Sequence, residues 1–202
     1  MVRIFLLLNI CLLFSGAAMA QLKVDSRNSG NPEELVKGLF AGGGVDIRNI
    51  VYKGSPATAW PSIGSFDGTD SNIGIDSGLL ITTGSIFDAP GPNTMPWCTS
   101  IISWDGDPEL ENLVGGKTKD ATVLEFDFIP VSRKIEFRYV FASEEYEEFV
   151  CSEFNDAFAF LVSGPGISGK KNIARVPGTS DIVSINTVNN GCKNSKIGRA
   201  HV

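Results

Sequence analysis

The chain has 202 residues, with 17 lysines and arginines against 23 aspartates and glutamates, and a formal net charge of −6. This acidic balance argues against binding to nucleic acid or to an anionic membrane surface, because both need a basic patch. The length suits one domain with its own hydrophobic core. Abundant glycine and few helix-forming runs favour a mainly β fold.

The first 20 residues have the features of a secretory signal peptide. Arg3 supplies a positive charge, the apolar run IFLLLNICLLF follows, and Ala18-Met19-Ala20 forms a cleavage signal before Gln21. The apolar run is too short to span a membrane comfortably. We therefore expect an exported mature chain without a transmembrane segment, and a linker over residues 21–30.

The last six residues, IGRAHV at positions 197–202, match the translation of a common sequencing adapter. The adapter frame also accounts for Lys196 before them and for a stop codon after them. We therefore expect a longer natural protein, whose domain over residues 31–196 is incomplete at its C-terminal end. The single histidine, His201, lies in this tail, so residues 21–196 offer no histidine as a base or metal ligand.

Two short helices are predicted from their start signals. Asn31-Pro32-Glu33-Glu34 combines a capping residue, proline at the first position and acids in the first turn. The residues Leu35, Val36, Leu39 and Phe40 then form one apolar face. Asp107-Pro108 repeats this start before a short helix that ends at Gly115-Gly116.

The remaining regular structure is predicted to be strands. Alternation of apolar and polar residues, or a compact apolar run, marks residues 45–52, 78–83, 122–129, 134–142, 157–163, 172–176 and 182–188. The run over 157–163 is apolar on both faces, as in a central strand. Short strands separated by glycine and proline predict a β-sandwich or jelly-roll-like domain with one or two short helices.

Three cysteines, Cys98, Cys151 and Cys192, remain after removal of the signal peptide. Export permits disulfides, but an odd number leaves one cysteine over. The expected truncation explains this if Cys192 pairs with a residue further downstream. Cys98 and Cys151 are then candidates for a disulfide, although spacing alone does not determine connectivity.

Acidic residues are concentrated in the stretch FASEEYEEFVCSEFNDAFAF, residues 141–160. Calcium binds six to eight oxygen ligands, and several loops of this chain offer them. The predicted calcium ligands are Asp105, Asp107, Glu144, Glu145 and Asp156, and no other cofactor is expected. Zinc is disfavoured because histidine is missing. The acids Glu147, Glu148 and Glu153 are expected to face solvent.

A glycoside hydrolase is the enzymatic alternative for this stretch. Such an enzyme needs two carboxylates about 5 to 10 Å apart, and Glu145 with Glu147, or Glu144 with Glu148, is a candidate pair. Trp60, Trp97 and Trp104 are candidate sugar platforms. Adjacent acids in an extended segment point to opposite faces, and no other feature marks a substrate cleft. We therefore expect no catalytic residues.

The sequence VFASEEYEEFVCSEFNDAFAFLVSGPGISG resembles the signature of the choice-of-anchor L domain. The pieces NPEELVKGLFAGGGVDIRNIVYKGSP, FDGTDSNIGIDSGLLITTGSI, GDPELENLVGG, DATVLEFDFIP and NIARVPGTSDIVSINTVN resemble the same family, in that order. The resemblance covers residues 31–192. It implies an exported bacterial surface or secreted protein, often from Bacteroidetes, with a variable C-terminal anchoring segment and no assigned enzymatic activity.

These observations predict a non-catalytic secreted or cell-surface module at the N-terminal end of a larger anchored protein. Its expected role is adhesion, ligand binding or envelope display, with surface glycans or other envelope proteins as partners. The first alternative is a calcium-dependent carbohydrate-binding module, and the second is a hydrolase. Resemblance to a family cannot choose among these roles.

Overall fold

A computed structural model describes residues 21–40, 45–55, 59–95, 100–101, 103–146, 148–189 and 191. The fold is mainly β, with antiparallel sheets and two α-helices, and it is consistent with the predicted β-sandwich-like domain. Its elements, in chain order, are β1 (Lys23–Asp25), α1 (Pro32–Phe40), β2 (Val45–Lys53), β3 (Ile63–Asp67), β4 (Ser77–Ile81), a 3-10 helix (Ile86–Asp88), α2 (Pro108–Val114), β5 (Val123–Pro130), β6 (Ala157–Phe158), β7 (Leu161–Gly164), β8 (Ile167–Asn172) and β9 (Val183–Ser184).

The first sheet has the order β1-β3-β4 and contains a strand that the sequence does not predict. β1 lies inside the segment 21–30 that we predicted to be a linker, and this prediction is wrong at that point. β1 pairs antiparallel with β3, where Val24 faces Phe66, and Lys23 forms an exposed ion pair with Asp70 at 2.5 Å. A strand of three residues is too short to show a periodic pattern, so only pairing reveals it.

Both predicted helices are confirmed, and local capping explains where they begin. In α1 the Asn31 side chain accepts a hydrogen bond from the Glu34 amide at 3.3 Å. In α2 Asp107 Oδ1 accepts hydrogen bonds from the amides of Glu109 and Leu110, at 2.9 and 3.0 Å. Gly115 ends α2 in the left-handed conformation, with φ of 72°, which glycine adopts without steric cost.

β2 and β5 form a long antiparallel pair that confirms two of the predicted strands. The register shifts between Arg48 and Val51, where Asn49 adopts a positive φ of 52°. Asn49 Nδ2 donates a hydrogen bond of 2.6 Å to Asp127 on the partner strand. The bulge shifts the register by one residue, and the strands stay paired on both sides of it.

Residues 134–142 form no strand in the structure, so that prediction is wrong. Of the four apolar positions predicted to point inward, Ile135, Phe137 and Phe141 are partly buried, whereas Tyr139 is exposed. The Phe137 ring lies 6.3 Å from the ring of Phe128 and 4.7 Å from that of Phe160. Side-chain packing therefore holds an extended segment in place without a ladder of backbone hydrogen bonds.

The apolar run over 157–163 is divided into β6 and β7 instead of forming one central strand. β6 pairs with β9, and β7 pairs with β8, so the two parts belong to different sheets. At the break Asn172 Oδ1 accepts hydrogen bonds from the amides of Phe160 and Ala174, at 3.1 and 3.0 Å. The predicted strand 172–176 is reduced to the end of β8 and an isolated bridge between Arg175 and Ile182.

A row of five phenylalanine rings connects α1, near the start of the domain, with Phe160 in the second half of the chain. Neighbouring ring centroids lie 4.7 to 6.3 Å apart along the row, which consists of Phe40, Phe126, Phe128, Phe137 and Phe160. It begins on α1, crosses β5 and ends at Phe160. Phe160 packs on a buried cluster of Ala174, Val176 and Val183.

We predict that Phe137→Ala lowers the free energy of unfolding by about 3 kcal/mol, because it removes the ring between Phe128 and Phe160. Phe87→Ala is the matched control, because Phe87 is 47% exposed and its truncation should cost less than about 1 kcal/mol. Urea unfolding of the full chain checks both values. Equal unfolding midpoints for the two variants would show that Phe137 does not link the packing of Phe128 with that of Phe160.

Candidate functional site

The acidic stretch forms a turn-rich loop, the acidic loop, which hydrogen bonds between its own polar groups stabilise. Ser143 Oγ donates a hydrogen bond of 3.0 Å to Asp156 Oδ2 and accepts one of 3.2 Å from the Glu145 amide. The Phe149 amide donates to the Glu145 carbonyl at 3.0 Å, which closes a turn. These bonds bring Glu145 and Asp156, eleven positions apart in sequence, to one place.

Asn93 reaches this loop from the preceding part of the chain. Its Nδ2 donates to the carbonyls of Glu144 and Tyr146, at 2.6 and 3.1 Å. Both partners are acceptors, so the amide nitrogen faces the loop backbone on either side of Glu145 and the amide oxygen faces away from these carbonyls. Asn93 is a site residue that sequence reasoning missed, because nothing in its local sequence distinguishes it.

Two oxygen atoms of these residues are enclosed and make no hydrogen bond with the residues that the structure describes. They are Asn93 Oδ1 and Glu145 Oε2, although each residue as a whole is only partly buried. A buried oxygen without a donor is energetically costly, and such atoms are rare in folded proteins. The pair therefore needs a physical explanation, such as a proton on Glu145 or a bound cation.

The two carboxyl groups of the site have elevated pKa values. Burial, followed by the charges of Asp156, Glu144 and Glu148, raises the pKa of Glu145 from 4.5 to about 7. Burial also raises the pKa of Asp156, while the hydrogen bond from Ser143 acts in the opposite direction. Negative charge is disfavoured here unless a proton or a cation offsets it.

The acidic loop is also attached to the end of the described chain. Asn186 Oδ1 accepts a hydrogen bond of 2.7 Å from the Cys151 amide, and the Asn186 amide donates to Asn155 Oδ1 at 2.9 Å. The Tyr146 side chain is buried, and its hydroxyl donates to the Val188 carbonyl. The Asn155 side chain therefore helps to hold the loop against Asn186.

The five predicted calcium ligands lie in two different loops. Glu144, Glu145 and Asp156 belong to the acidic loop. Asp107 caps α2. Asp105 lies in the loop before α2 and forms an isolated backbone β-bridge with Lys119. Within the described ranges, no three His, Cys, Asp or Glu side chains are grouped so that they could hold a metal ion. Calcium binding therefore stays a prediction.

The remaining sequence predictions have mixed outcomes. Glu148 and Glu153 are exposed as predicted. Cys151 is disulfide-bonded, and its Sγ lies 3.5 Å from the Cβ position at Gly191, the neighbour of Cys192. Predictions for Trp97, Cys98, Glu147 and Cys192 fall outside the described residues, so the pairing of Cys98 with Cys151 and the carboxylate pair with Glu147 stay predictions.

The family model of the choice-of-anchor L domain matches residues 23–200. Comparison with curated proteins and with solved structures found no match. Among the helices that the structure describes, none has the length and apolar character needed to cross a bilayer.

We predict that stability in calcium-free buffer falls as pH rises from about 4.5 to about 7, because folding raises the pKa of Glu145 over this interval. The folded state binds more protons than the unfolded state within it, so deprotonation favours unfolding. Glu145→Gln cannot ionise, and it should raise the melting temperature at pH 8 while changing it little at pH 4.

Glu153→Gln is the control for this pH dependence, because it removes the charge of an exposed acid in the same loop. Its melting curve should follow the wild-type chain at every pH. The same pH profile for Glu145→Gln and Glu153→Gln would show that folding does not raise the pKa of Glu145.

Proposed function

Because the chain belongs to the choice-of-anchor L domain family, a family of secreted or surface modules that are not typically catalytic, we propose that it is a display domain that binds extracellular partners. The proposed partners are surface glycans or other proteins of the cell envelope. The observation that carries this proposal is the family match over residues 23–200.

The surface of the domain supports binding more than catalysis. Several large apolar side chains are well exposed, among them Trp60, Trp104, Ile101, Val131 and Phe154. Exposed aromatic residues are the side chains that most often anchor a binding partner. Residues 21–196 hold no histidine, and the raised pKa of Glu145 has a structural cause in burial and neighbouring carboxylates.

We predict that the full chain binds saturably to bacterial envelope fractions and releases no reducing sugar from polysaccharides incubated with it. Sedimentation with the envelope measures binding, and the heat-unfolded chain is the control for nonspecific adsorption. The binding proposal is wrong if the folded and unfolded chains are retained equally. Sugar release that Glu145→Gln abolishes would favour the hydrolase instead.

A calcium-dependent form of this function is the second candidate, and it rests on the two unpaired oxygens. Asn93 Oδ1 and Glu145 Oε2 are enclosed without donors among the described residues, and Asp156, whose charge acts on Glu145, also has a raised pKa. Amide and carboxylate oxygens are ligands that calcium prefers. We propose that these three residues, with carbonyl or water oxygens, hold one calcium ion, while Asp105 and Asp107 do not take part.

We predict that calcium at about 100 times its Kd raises the melting temperature by about 5 to 10 °C, since the ion binds only the folded state. EDTA should reverse the shift, and magnesium should give less of it. Glu145→Gln should abolish the response, whereas Glu153→Gln and Asp105→Asn should retain it. Calcium-independent melting of the wild-type chain would overturn this proposal.

A further inference from the structure

A second feature of the surface is an open cleft on the side of the β2–β5 pair. Its volume is about 480 Å³, which lies in the range of small-ligand sites. Residues from the end of β2 and the start of β5 form one wall, and the loop before α2 forms the other. The side chains that matter chemically are Tyr52, Lys53, Trp104, Asp105 and Asp107.

Trp104 presents an exposed aromatic ring at this cleft. Its side chain is 42% exposed, and the indole nitrogen makes no hydrogen bond within the part of the chain that the structure describes. An indole whose face and N–H are both accessible can stack on an apolar ligand surface and donate one hydrogen bond. Its position at a cleft lined with polar groups, rather than its exposure alone, makes Trp104 a candidate contact for a ligand.

The backbone beneath Trp104 is held tightly. The Trp104 amide donates to Asp120 Oδ1 at 2.7 Å, and the Asp120 amide donates back to the Trp104 carbonyl at 3.0 Å. The Asp107 amide donates to Thr118 Oγ1 at 2.9 Å. A Cβ atom at Gly106 would lie only 2.2 Å from the Thr118 carbonyl oxygen, so glycine is required for this approach. The Trp104 ring therefore projects from a preorganised loop, and this preorganisation lowers the entropic cost of binding.

Polar groups of both signs surround the ring. The exposed Asp105 carboxylate makes no hydrogen bond in the described structure, and Asp107 uses its Oδ1 to cap α2. Lys53 is exposed on the opposite wall, with its ammonium 3.8 Å from Glu125. The two acids disfavour an anionic ligand, and Lys53 disfavours a strongly cationic one. Carboxylate acceptors and an ammonium donor both suit hydroxyl groups.

We propose that the cleft beside Trp104 binds a sugar unit of a neutral glycan, with the apolar face of the sugar stacked on the indole and its hydroxyl groups bonded to Asp105 and Lys53. This proposal rests on the proposed binding function and specifies the chemistry of one ligand. It does not depend on the acidic loop, because none of the residues lining the cleft belongs to that loop.

The test uses the full chain on an array of neutral oligosaccharides built from glucose, N-acetylglucosamine, mannose and galactose. Titration of the best hexasaccharide then gives Kd by calorimetry and by tryptophan fluorescence. We expect Trp104→Ala to weaken Kd about 30-fold, as loss of a central aromatic anchor does. Asp105→Asn should weaken it less, and Trp104→Phe should retain part of the affinity and confirm that the variants fold.

Phe87→Ala is the matched control, because Phe87 is also an exposed aromatic residue, 47% accessible, but does not line the cleft. It should leave Kd unchanged and keep the fluorescence change on binding, which Trp104→Ala should lose. Glycan binding that survives Trp104→Ala would overturn the cleft while leaving the binding function intact. If no neutral glycan binds while the envelope fraction does, the cleft proposal fails and a protein partner replaces it.

Discussion

The row of phenylalanine rings is the interaction on which the domain depends. The described strands form four separate sheets or pairs, and no pairing between described strands joins one of them to another. The rings extend from α1 across β5 to Phe160, which packs on the buried cluster around Val176 and Val183. Dispersion and burial, which need no exact hydrogen-bond register, therefore bring the sheets together. This tolerance explains how residues 134–142 keep their place without a strand partner.

The acidic loop shows the opposite kind of chemistry, because its polar groups are only partly satisfied. Ser143, Asn93 and Asn186 provide hydrogen bonds that hold the loop backbone, but within the described residues they leave the Glu145 Oε2 atom without a donor. A structure that retains such an atom gives up stability at neutral pH. A proton or a divalent cation would restore it, and the two differ in how they respond to pH and to chelation. The cleft beside Trp104 is chemically separate, since none of the residues that line it belongs to the acidic loop.

Local chemistry made the helices predictable, whereas pairing between distant segments did not. Capping residues and glycine acted within a few positions, so both helices began where expected and α2 ended at Gly115. Alternation over residues 134–142 identified the partly buried positions except for Tyr139, which is exposed, and carried no information on a pairing partner. The site followed the same rule. Glu145 and Asp156 were identified from composition, whereas Asn93 lies 51 positions from the Glu144 carbonyl that it contacts. No local signal marks an asparagine for such a distant role.

The attachment of the acidic loop to residues 185–189 has a consequence for the order of folding. Tyr146 donates to the Val188 carbonyl, and the Cys151 amide donates to Asn186, 35 positions later. In any vectorial process, whether synthesis on a ribosome or threading through a membrane, the loop stays open until Val188 has emerged. Folding of this end is therefore a late event with high contact order. A chain whose Val188 has not yet emerged would expose its acidic segment. The negative charge of that segment would keep the partly folded chain soluble.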